Sequence, residues 1–274
     1  MTVTQEKKGA EFRALHEAEG IFILPNPWDP ASARILAGLG FQALATSSAA
    51  SAAMRGRRDG YLTREQALDH ARQIVAATDL PVSADLEKGF GDAPEIVAET
   101  IRLAAGAGLV GCTIEDTSGN PDRPLYDDSL AVERIAAAAQ AARTLPFPFI
   151  LTARAHNLLF PSASLDATIR RLQAFEKAGA DVLFAPALPD VTAVRQVCAA
   201  LSKPFNFMVG IPGKSFPVSE LAAAGVKRIS LATSLYRVAM TGLLDAAREV
   251  KEQGRFSFVD RVASTADLNK LMGI

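Results

Sequence analysis

The 274-residue sequence predicts a (β/α)8 barrel, in which eight parallel strands alternate with helices in a single domain. Short apolar runs recur along the chain, and a helix-type segment follows each of them. None of these runs alternates polar and apolar residues, as expected of strands covered on both faces. The alternative is a doubly wound open sheet, but no G-x-G-x-x-G or Walker loop follows any strand.

The strand assignments rest on apolar runs that are bounded by glycine, proline and small polar residues. The prolines at 25, 27 and 30, for example, end the first run because proline cannot donate to a strand ladder. In chain order, strands are predicted at residues 21–24, 40–45, 81–87, 109–115, 147–153, 182–184, 204–209 and 228–232.

Capping residues mark the starts of several helices. Asp29 before Pro30 is an N-cap with proline at the first helical position. Thr63 and Gln66 have the spacing of a capping box, and Pro94 begins another helix. Helices are predicted at residues 11–20, 30–38, 64–78, 94–107, 130–143, 165–178, from 191 onward, 219–224, 234–252 and, in the tail 256–274, 265–272.

Composition excludes several classes of protein. The chain is 49% hydrophobic and 22% charged, with a formal net charge of −1, so nucleic acid is not an expected partner. The short basic run 55–58 reads as a solvated loop, with a contact to an anionic substrate as the alternative. No apolar run reaches the roughly twenty residues of a membrane span. Without a signal-peptide core, and with only Cys112 and Cys198, we expect a cytoplasmic protein.

Polar side chains follow the predicted strands at the end where barrel enzymes place their active sites. Asp85 and Glu87 end the third strand, two residues apart, and would point the same way on an extended backbone. Glu115 ends the fourth strand, and Arg154 ends the fifth, where a guanidinium can clamp a substrate carboxylate. Such oxygen ligands predict Mg²⁺, or Mn²⁺, rather than zinc. Further candidates for substrate binding are Trp28, Ser47, Ser48, His156 and Asn206.

Two of these candidates have open alternatives. His156 is either a catalytic group or a hydrogen-bonded neighbour of the site. Ser47 and Ser48 either present bare N–H groups to an anion or form a plain turn. The polar segment 117–128, broken by prolines, is predicted to lack regular structure and to act as a lid, with a surface insertion as the alternative.

Several motifs occur jointly and in one order: Asn26-Pro27-Trp28-Asp29, Ser47-Ser48, Asp59-Gly60, residues 81–91, Ile114-Glu115-Asp116, Thr152-Ala153-Arg154, residues 179–184 and residues 228–231. Together they make the chain resemble the isocitrate lyase/phosphoenolpyruvate mutase superfamily over residues 26 to about 237. The resemblance implies a Mg²⁺-dependent barrel that acts on 2-oxo acids or their enolates. It also implies a homo-oligomer, a dimer or tetramer, in which the last helices are exchanged between subunits.

The resemblance assigns metal-site roles to the acids. Asp85 matches the direct metal ligand, while Asp59, Glu87 and Glu115 match acids that hold metal-bound waters. Glu87 departs from the members of the superfamily that have aspartate at this position, but the charge is kept.

The resemblance also implies how the substrate is held. The N–H groups of Ser47 and Ser48 match a cradle for a carboxylate or enolate oxygen, and Arg154 matches a second clamp. On this basis, Asp59, Glu115 and Arg154 are the expected catalytic residues.

The chain departs from the superfamily after the fourth strand. Isocitrate and methylisocitrate lyases carry Lys-Lys-Cys-Gly-His there, whereas residues 117–121 read Thr-Ser-Gly-Asn-Pro. The thiol that acts as general acid in those lyases is therefore absent. The phosphonomutase loop is also poorly matched, because Asn120 is present but no lysine lies between 117 and 128.

These departures predict a Mg²⁺-dependent C–C lyase acting on a small 2-oxo acid or dicarboxylate, specifically a decarboxylase of the oxaloacetate type. Decarboxylation needs no thiol, since solvent can protonate the enolate. One alternative is a P–C bond enzyme similar to phosphoenolpyruvate mutase or phosphonopyruvate hydrolase. Another is a barrel that binds a dicarboxylate without catalysis.

Overall fold

The computed structural model describes residues 3–160 and 164–274. Within them, eight strands form one parallel sheet, and two more form a separate hairpin. The strands are, in chain order, β1 (Phe22–Leu24), β2 (Leu44–Ala45), β3 (Val82–Asp85), β4 (Gly111–Glu115), β5 (Thr117–Asn120), β6 (Arg123–Leu125), β7 (Ile150–Arg154), β8 (Val182–Phe184), β9 (Phe205–Met208) and β10 (Arg228–Ser230).

The sheet is a nearly closed barrel. Its strand order is β1-β10-β9-β8-β7-β4-β3-β2, so the strands follow one another in sequence order around the barrel. The N–H of Ala45 donates to the Pro25 carbonyl at 3.1 Å across the seam between β1 and β2. A doubly wound sheet would reverse its strand order at a switch point, and no reversal occurs in the eight strands described. The barrel predicted from the sequence is confirmed.

Helices surround the barrel and close one end of it. They are α1 (Gln5–Glu17), α2 (Pro30–Gly38), α3 (Ser48–Ala53), α4 (Arg64–Ala77), α5 (Pro94–Gly106), α6 (Asp128–Arg143), α7 (Leu165–Lys177), α8 (Val191–Ala199), α9 (Val218–Ala223), α10 (Ser234–Arg248) and α11 (Thr265–Met272). A π-helical turn spans Glu249–Gln253, and 3-10 turns span Asn157–Leu159 and Ser257–Arg261.

The predicted helix caps are confirmed. The Asp29 carboxylate accepts from the N–H of Ser32 at 2.6 Å at the start of α2. The Thr63 hydroxyl accepts from the N–H of Gln66 at 3.3 Å, and the Gln66 side chain accepts from the N–H of Thr63 at 3.1 Å.

Three elements differ from the sequence predictions. Helix α1 begins at Gln5 rather than at residue 11, because Thr4 caps it. The small residues after Ser47, to which no element was assigned, form the short helix α3. Residues 117–125, predicted to lack regular structure, form the antiparallel hairpin β5–β6. An exposed hairpin needs no apolar pattern, and its turn is stabilised locally by the N–H of Asp122, which donates to the Asn120 side chain at 2.9 Å.

Helix α1 closes the end of the barrel where the strands begin. Its fully buried Phe12 packs with Phe22, Val110 and Ile150, which come from three strands or the residues just before them. Burial of one such ring stabilises the fold by roughly 2–3 kcal/mol. The loops at the other end of the strands remain open for a site.

The C-terminal helices are more exposed. Helix α10 has no buried residue, and α11 packs on α2 of the same chain, where a Cβ at Gly38 would overlap the Leu271 carbonyl. The exchange of the tail 256–274 between subunits stays a prediction. Among the residues described, no helix is long and apolar enough to cross a membrane.

Candidate active site

The ends of three neighbouring strands bring two acids and an arginine together. Glu115 and Arg154 are register partners on β4 and β7, and Asp85 ends the adjacent β3. The Arg154 Nη1 atom lies 3.5 Å from Glu115 Oε2 and 3.8 Å from Asp85 Oδ2. The guanidinium also lies over the Phe184 ring, 4.8 Å from its centroid, which fixes its plane.

Glu87 reaches this site by a different backbone path from the one predicted. Strand β3 ends at Asp85, and Glu87 has a left-handed φ of 52°, so the expectation of two acids on one extended strand is wrong. The turn instead directs the N–H of Glu87 to Asp85 Oδ1 at 3.1 Å.

The acids raise one another's pKa values. Burial, followed by the charges of Asp85, Asp59 and Glu115, raises the pKa of Glu87 to about 8. Burial raises the pKa of Glu115 to about 7, against the opposing effect of Arg154. Desolvation and the charge of Asp85 raise the pKa of Asp59, which lies in the loop after α3. The site therefore concentrates more negative charge than its one guanidinium neutralises.

These acids fit a divalent cation that keeps its waters. Within residues 3–160 and 164–274, no three His, Cys, Asp or Glu side chains are arranged to coordinate one ion directly. Mg²⁺ often binds through one or two carboxylates and several waters, which suits Asp85 as a direct ligand with Glu87, Glu115 and Asp59 around it. The assignment of these residues to a metal stays a prediction.

Two buried nitrogen atoms at the site lack hydrogen-bond partners in the described part of the chain: Arg154 Nε and His156 Nδ1. Because a buried unpaired polar atom is unfavourable, these atoms mark a place where a polar ligand can bind. His156 Nδ1 lies 3.4 Å from Glu115 Oε2. Burial and the Arg154 charge lower the pKa of His156 to about 2, so its ring is neutral.

The serines at the end of β2 contact Asp85. The Ser48 hydroxyl lies 3.1 Å and its N–H 3.4 Å from Asp85 Oδ2, so this amide points at the acid rather than standing bare. Ser47 caps α3 with its side chain, 3.5 Å from the N–H of Ala50, and lines the cavity described below.

A small cavity of about 50 Å³ continues from Asp85 and Arg154 into the barrel, where Asn206 and Arg228 line it. The Asn206 amide is hydrogen-bonded at both ends: its Nδ2 donates to Ser230 at 3.0 Å, and its Oδ1 accepts from Arg228 Nε at 2.7 Å.

Trp28, the remaining candidate, packs edge-on against Tyr236 of α10 with ring centroids 5.7 Å apart. A larger groove of about 610 Å³ lies at the other end of the barrel beside α1 and has none of the predicted site residues in its lining.

A buried ion pair behind the site was missed by the sequence analysis. Asp116 accepts from the N–H of His156 at 2.8 Å and from Arg171 Nη1 at 2.7 Å. Arg171 also donates to the Tyr126 carbonyl at 3.3 Å and contacts Asp128 at the start of α6. The position of Asp116 beside Glu115 was a usable signal, whereas Arg171 comes from α7, and no sequence pattern connects it with the site.

The hairpin β5–β6 is attached to the site by two contacts that sequence reasoning also missed. The Thr117 hydroxyl donates to Glu115 Oε1 at 2.6 Å. Lys88, from the loop after β3, donates to the Ser118 carbonyl at 2.6 Å and to Asp92 at 2.9 Å. The role of the hairpin β5–β6 as a lid stays a prediction.

Comparisons with known proteins show which family the chain is similar to. The family model of phosphoenolpyruvate phosphomutase matches residues 12–251. The crystal structure of a proposed lyase/mutase from Burkholderia cenocepacia J2315 is 50% identical, with a TM-score of 0.96 over 98% of this chain and 97% of that one. "Probable 2-methylisocitrate lyase 2" of Corynebacterium glutamicum is 30% identical over 98% of this chain and 89% of its own length. An oxaloacetate decarboxylase of Ectopseudomonas mendocina is 31% identical over 87% of this chain and 82% of its own.

Since the family model covers most of the chain and these relatives align along nearly its whole length, the chain belongs to the isocitrate lyase/phosphoenolpyruvate mutase superfamily.

Proposed function

We propose that this protein is a Mg²⁺-dependent C–C lyase that decarboxylates a small 2-oxo acid of the oxaloacetate type through an enolate. The observation that carries the proposal is the position of Arg154, within 4 Å of Asp85 and Glu115, while neither cysteine lines the cavity at Asp85. Relatives of the chain include both lyases and an oxaloacetate decarboxylase, which supports this class of reaction.

The chain's own residues would perform three tasks. Arg154 would bind the substrate carboxylate, because its buried Nε has no other partner in the described chain. The hydroxyl of Thr117 and the guanidinium of Arg154 keep Glu115 oriented at the mouth of the barrel. The neutral ring of His156 cannot act as a cationic proton donor near neutral pH.

A divalent ion held by Asp85, with Asp59, Glu87 and Glu115 around it, would supply Lewis-acid stabilisation of the negative charge that develops on the keto oxygen. When CO₂ leaves, the electron pair of the broken C–C bond stays on the substrate as an enolate, which solvent can protonate.

The cysteines support decarboxylation over a thiol-dependent cleavage. Cys112 is fully buried on the side of β4 that packs against helices, and burial raises the pKa of its thiol. Cys198 lies in α8, where burial raises the pKa of its thiol to about 12. The chain has two cysteines, and neither lines the cavity at Asp85.

A P–C bond enzyme is the second candidate, and one observation favours it. The hairpin has no lysine of its own, but Lys88 places an amine against the Ser118 carbonyl. Phosphorus NMR on phosphonopyruvate and phosphoenolpyruvate would detect P–C bond cleavage or formation.

The test is a panel of 2-oxo acids, oxaloacetate first, assayed for pyruvate and CO₂ with Mg²⁺ and with EDTA. Asp85→Asn should abolish the enzymatic rate and thereby measure the metal-catalysed background. The matched control is Asp166→Asn, which removes an exposed carboxylate from α7. No turnover of any substrate would contradict the proposal. A rise in melting temperature with Mg²⁺ and oxalate, without turnover, would instead support a dicarboxylate-binding barrel.

We also propose that α10 and the tail are covered by a second copy of the chain. Val238, Leu243 and Phe256 are 70%, 61% and 63% exposed, which is unusual for apolar residues so close together in sequence. Light scattering should give a dimer or tetramer, and Leu243→Glu should shift the oligomer toward the monomer.

Both cysteines are free, which agrees with a reducing cytoplasm.

A further inference from the structure

Arg228 is a buried cation without a buried anion beside it. It begins β10 and is 2% exposed. Its three hydrogen-bond partners are neutral: Asn206 Oδ1 at 2.7 Å, Thr152 Oγ1 at 2.9 Å and His16 Nε2 at 3.2 Å. None of these hydrogen bonds joins it to a carboxylate, and burial is the one cause of its pKa shift. Burial lowers the pKa of Arg228 to about 9, which leaves the guanidinium charged at neutral pH.

His16 does not compensate this charge, because its tautomer is determined by its two partners. Its Nδ1 lies 2.7 Å from the Phe12 carbonyl, which can only accept, so Nδ1 carries the proton. Its Nε2 then accepts from Arg228, and the ring is neutral. Among the residues described, the hydrogen-bond partners of Arg228 are therefore all neutral, and its positive charge has no counter-ion among them.

The barrel register places Arg228 on the same interior face as the site residues, although its guanidinium also contacts His16 at the α1 end of the barrel. Arg228 pairs with Asn206, Asn206 with Phe184 and Phe184 with Arg154, so all four side chains share the interior face. The same cavity of about 50 Å³ is lined by Arg228, Arg154 and Asp85, which leaves room for one or two waters between them.

The distance follows from the strand spacing. Thr152, which accepts from Arg228, is in register with Thr113, and Thr113 with Asp85. Two strand spacings of about 4.8 Å separate the backbones of Thr152 and Asp85, so the guanidinium held by Thr152 lies on the order of 10 Å from Asp85.

We propose that Arg228 is a positioning residue whose charge, acting through the interior of the barrel, stabilises the anionic ligand at the Asp85–Arg154 site. The choice of an enolate-like dianion as ligand rests on the proposed function. Arg228 does not touch the ligand. Its charge favours a bound anion and opposes a bound cation, and this pair of opposite effects distinguishes it from a residue that only supports the fold.

The expected size is measurable. At about 10 Å and an effective dielectric constant near 20, one unit charge changes an affinity roughly tenfold. Arg228→Met should weaken oxalate, a stable dianionic analogue of an enolate, roughly a hundredfold at saturating Mg²⁺, because two charges double the interaction energy. It should also tighten Mg²⁺ alone by a similar factor. Arg228→Lys keeps the charge and should leave both affinities close to those of the wild type.

Asn206→Asp is a second, nearly isosteric test. It supplies the missing carboxylate beside Arg228, so it should neutralise the field with little change in shape. Its oxalate affinity should fall and its Mg²⁺ affinity rise, as in Arg228→Met, while its melting temperature rises because the buried cation gains a partner.

Isothermal titration with oxalate and with Mg²⁺ decides the matter. If the affinities of Arg228→Met for oxalate and for Mg²⁺ both fall, or if neither changes, the proposal is overturned. A lower melting temperature for Asn206→Asp would also overturn it. A loss of oxalate binding in Asn206→Asp alone would indicate direct contact by Asn206 and also overturn it. Wild-type protein that binds oxalate without turning over any 2-oxo acid would contradict the proposed function and leave this test intact.

Discussion

Removal of Arg171 tests whether the buried ion pair behind the site holds the fold. Asp116 is 2% exposed, and its carboxylate lies 2.7 Å from Arg171 Nη1. In Arg171→Met, Asp116 keeps the N–H of His156 but loses its cation. Removing one partner of a buried ion pair destabilises a protein by about 3–5 kcal/mol, because the remaining charge is left desolvated.

Asp116→Asn and the double variant show how much each partner of the ion pair contributes to the free energy of unfolding. Asp116→Asn should cost less, roughly 1–2 kcal/mol, since Arg171 keeps Asp128 and the Tyr126 carbonyl as partners. The double variant should be less destabilised than the sum of the two single variants, because it leaves no unpaired buried carboxylate. Urea unfolding at pH 7 gives the three free energies.

The pH dependence checks the mechanism. Burial raises the pKa of Asp116, and Arg171 opposes that effect, so the pKa should rise further in Arg171→Met. The folded variant then binds a proton that the unfolded chain releases, and its stability falls as pH rises through this window. The deficit should therefore be full at pH 7 and shrink as the pH is lowered toward 4.

Arg170→Met, which removes a neighbouring exposed cation from α7, is the matched control and should change stability by less than about 0.5 kcal/mol. A loss below about 1 kcal/mol in Arg171→Met, or one that does not depend on pH, would refute the reasoning.

Three further predictions concern other groups. Burial, and next the charge of Arg228, lowers the pKa of His16 to about 3, so folded-state stability should be lost as pH falls from 6.5 toward 3, and His16→Gln should flatten that slope in urea titrations. Arg134 is 1% exposed and donates to three backbone carbonyls of residues 88–92, so Arg134→Met should lower the free energy of unfolding by about 3–5 kcal/mol. Thr117→Val removes a donor to Glu115 and should raise the pKa of that acid from about 7 by roughly one unit in an NMR titration of metal-free protein.

Each of these three predictions has a control variant or an outcome that would contradict it. An unchanged pH slope in His16→Gln would mean that other groups produce it. Arg102→Met, at an exposed position of α5, should be nearly neutral, and equal effects at 102 and 134 would remove the special role of the buried guanidinium. Thr117→Ser keeps the hydroxyl and should leave the Glu115 pKa unchanged; a shift in both variants would point to the backbone of the hairpin.

The barrel and its acidic mouth could be read from local patterns. Short runs of three to seven residues, most of them apolar and separated by caps such as Asp29 and Thr63, are sufficient to define the alternation of strands and helices. In a parallel barrel, every strand ends at the same face. The strand-tip residues Asp85, Glu115 and Arg154 therefore had to meet, and they do.

Two kinds of feature could not be predicted from these patterns: local turns without an apolar pattern, and contacts between residues far apart in the chain. The left-handed turn that directs Glu87 and the hairpin β5–β6 depend on local geometry without an apolar pattern. The Asp116–Arg171 pair joins positions 55 residues apart.

By itself, the sequence determined the superfamily, the strand order and the set of acids at the mouth of the barrel, because each of these follows from side chains that are close together in the chain. Only the tertiary structure decided which buried charges have a counter-ion and which do not. Arg228 and Asp116 acquire their significance from neighbours on other strands and helices, since a charge becomes costly or useful only when burial removes water and distant residues determine what replaces it.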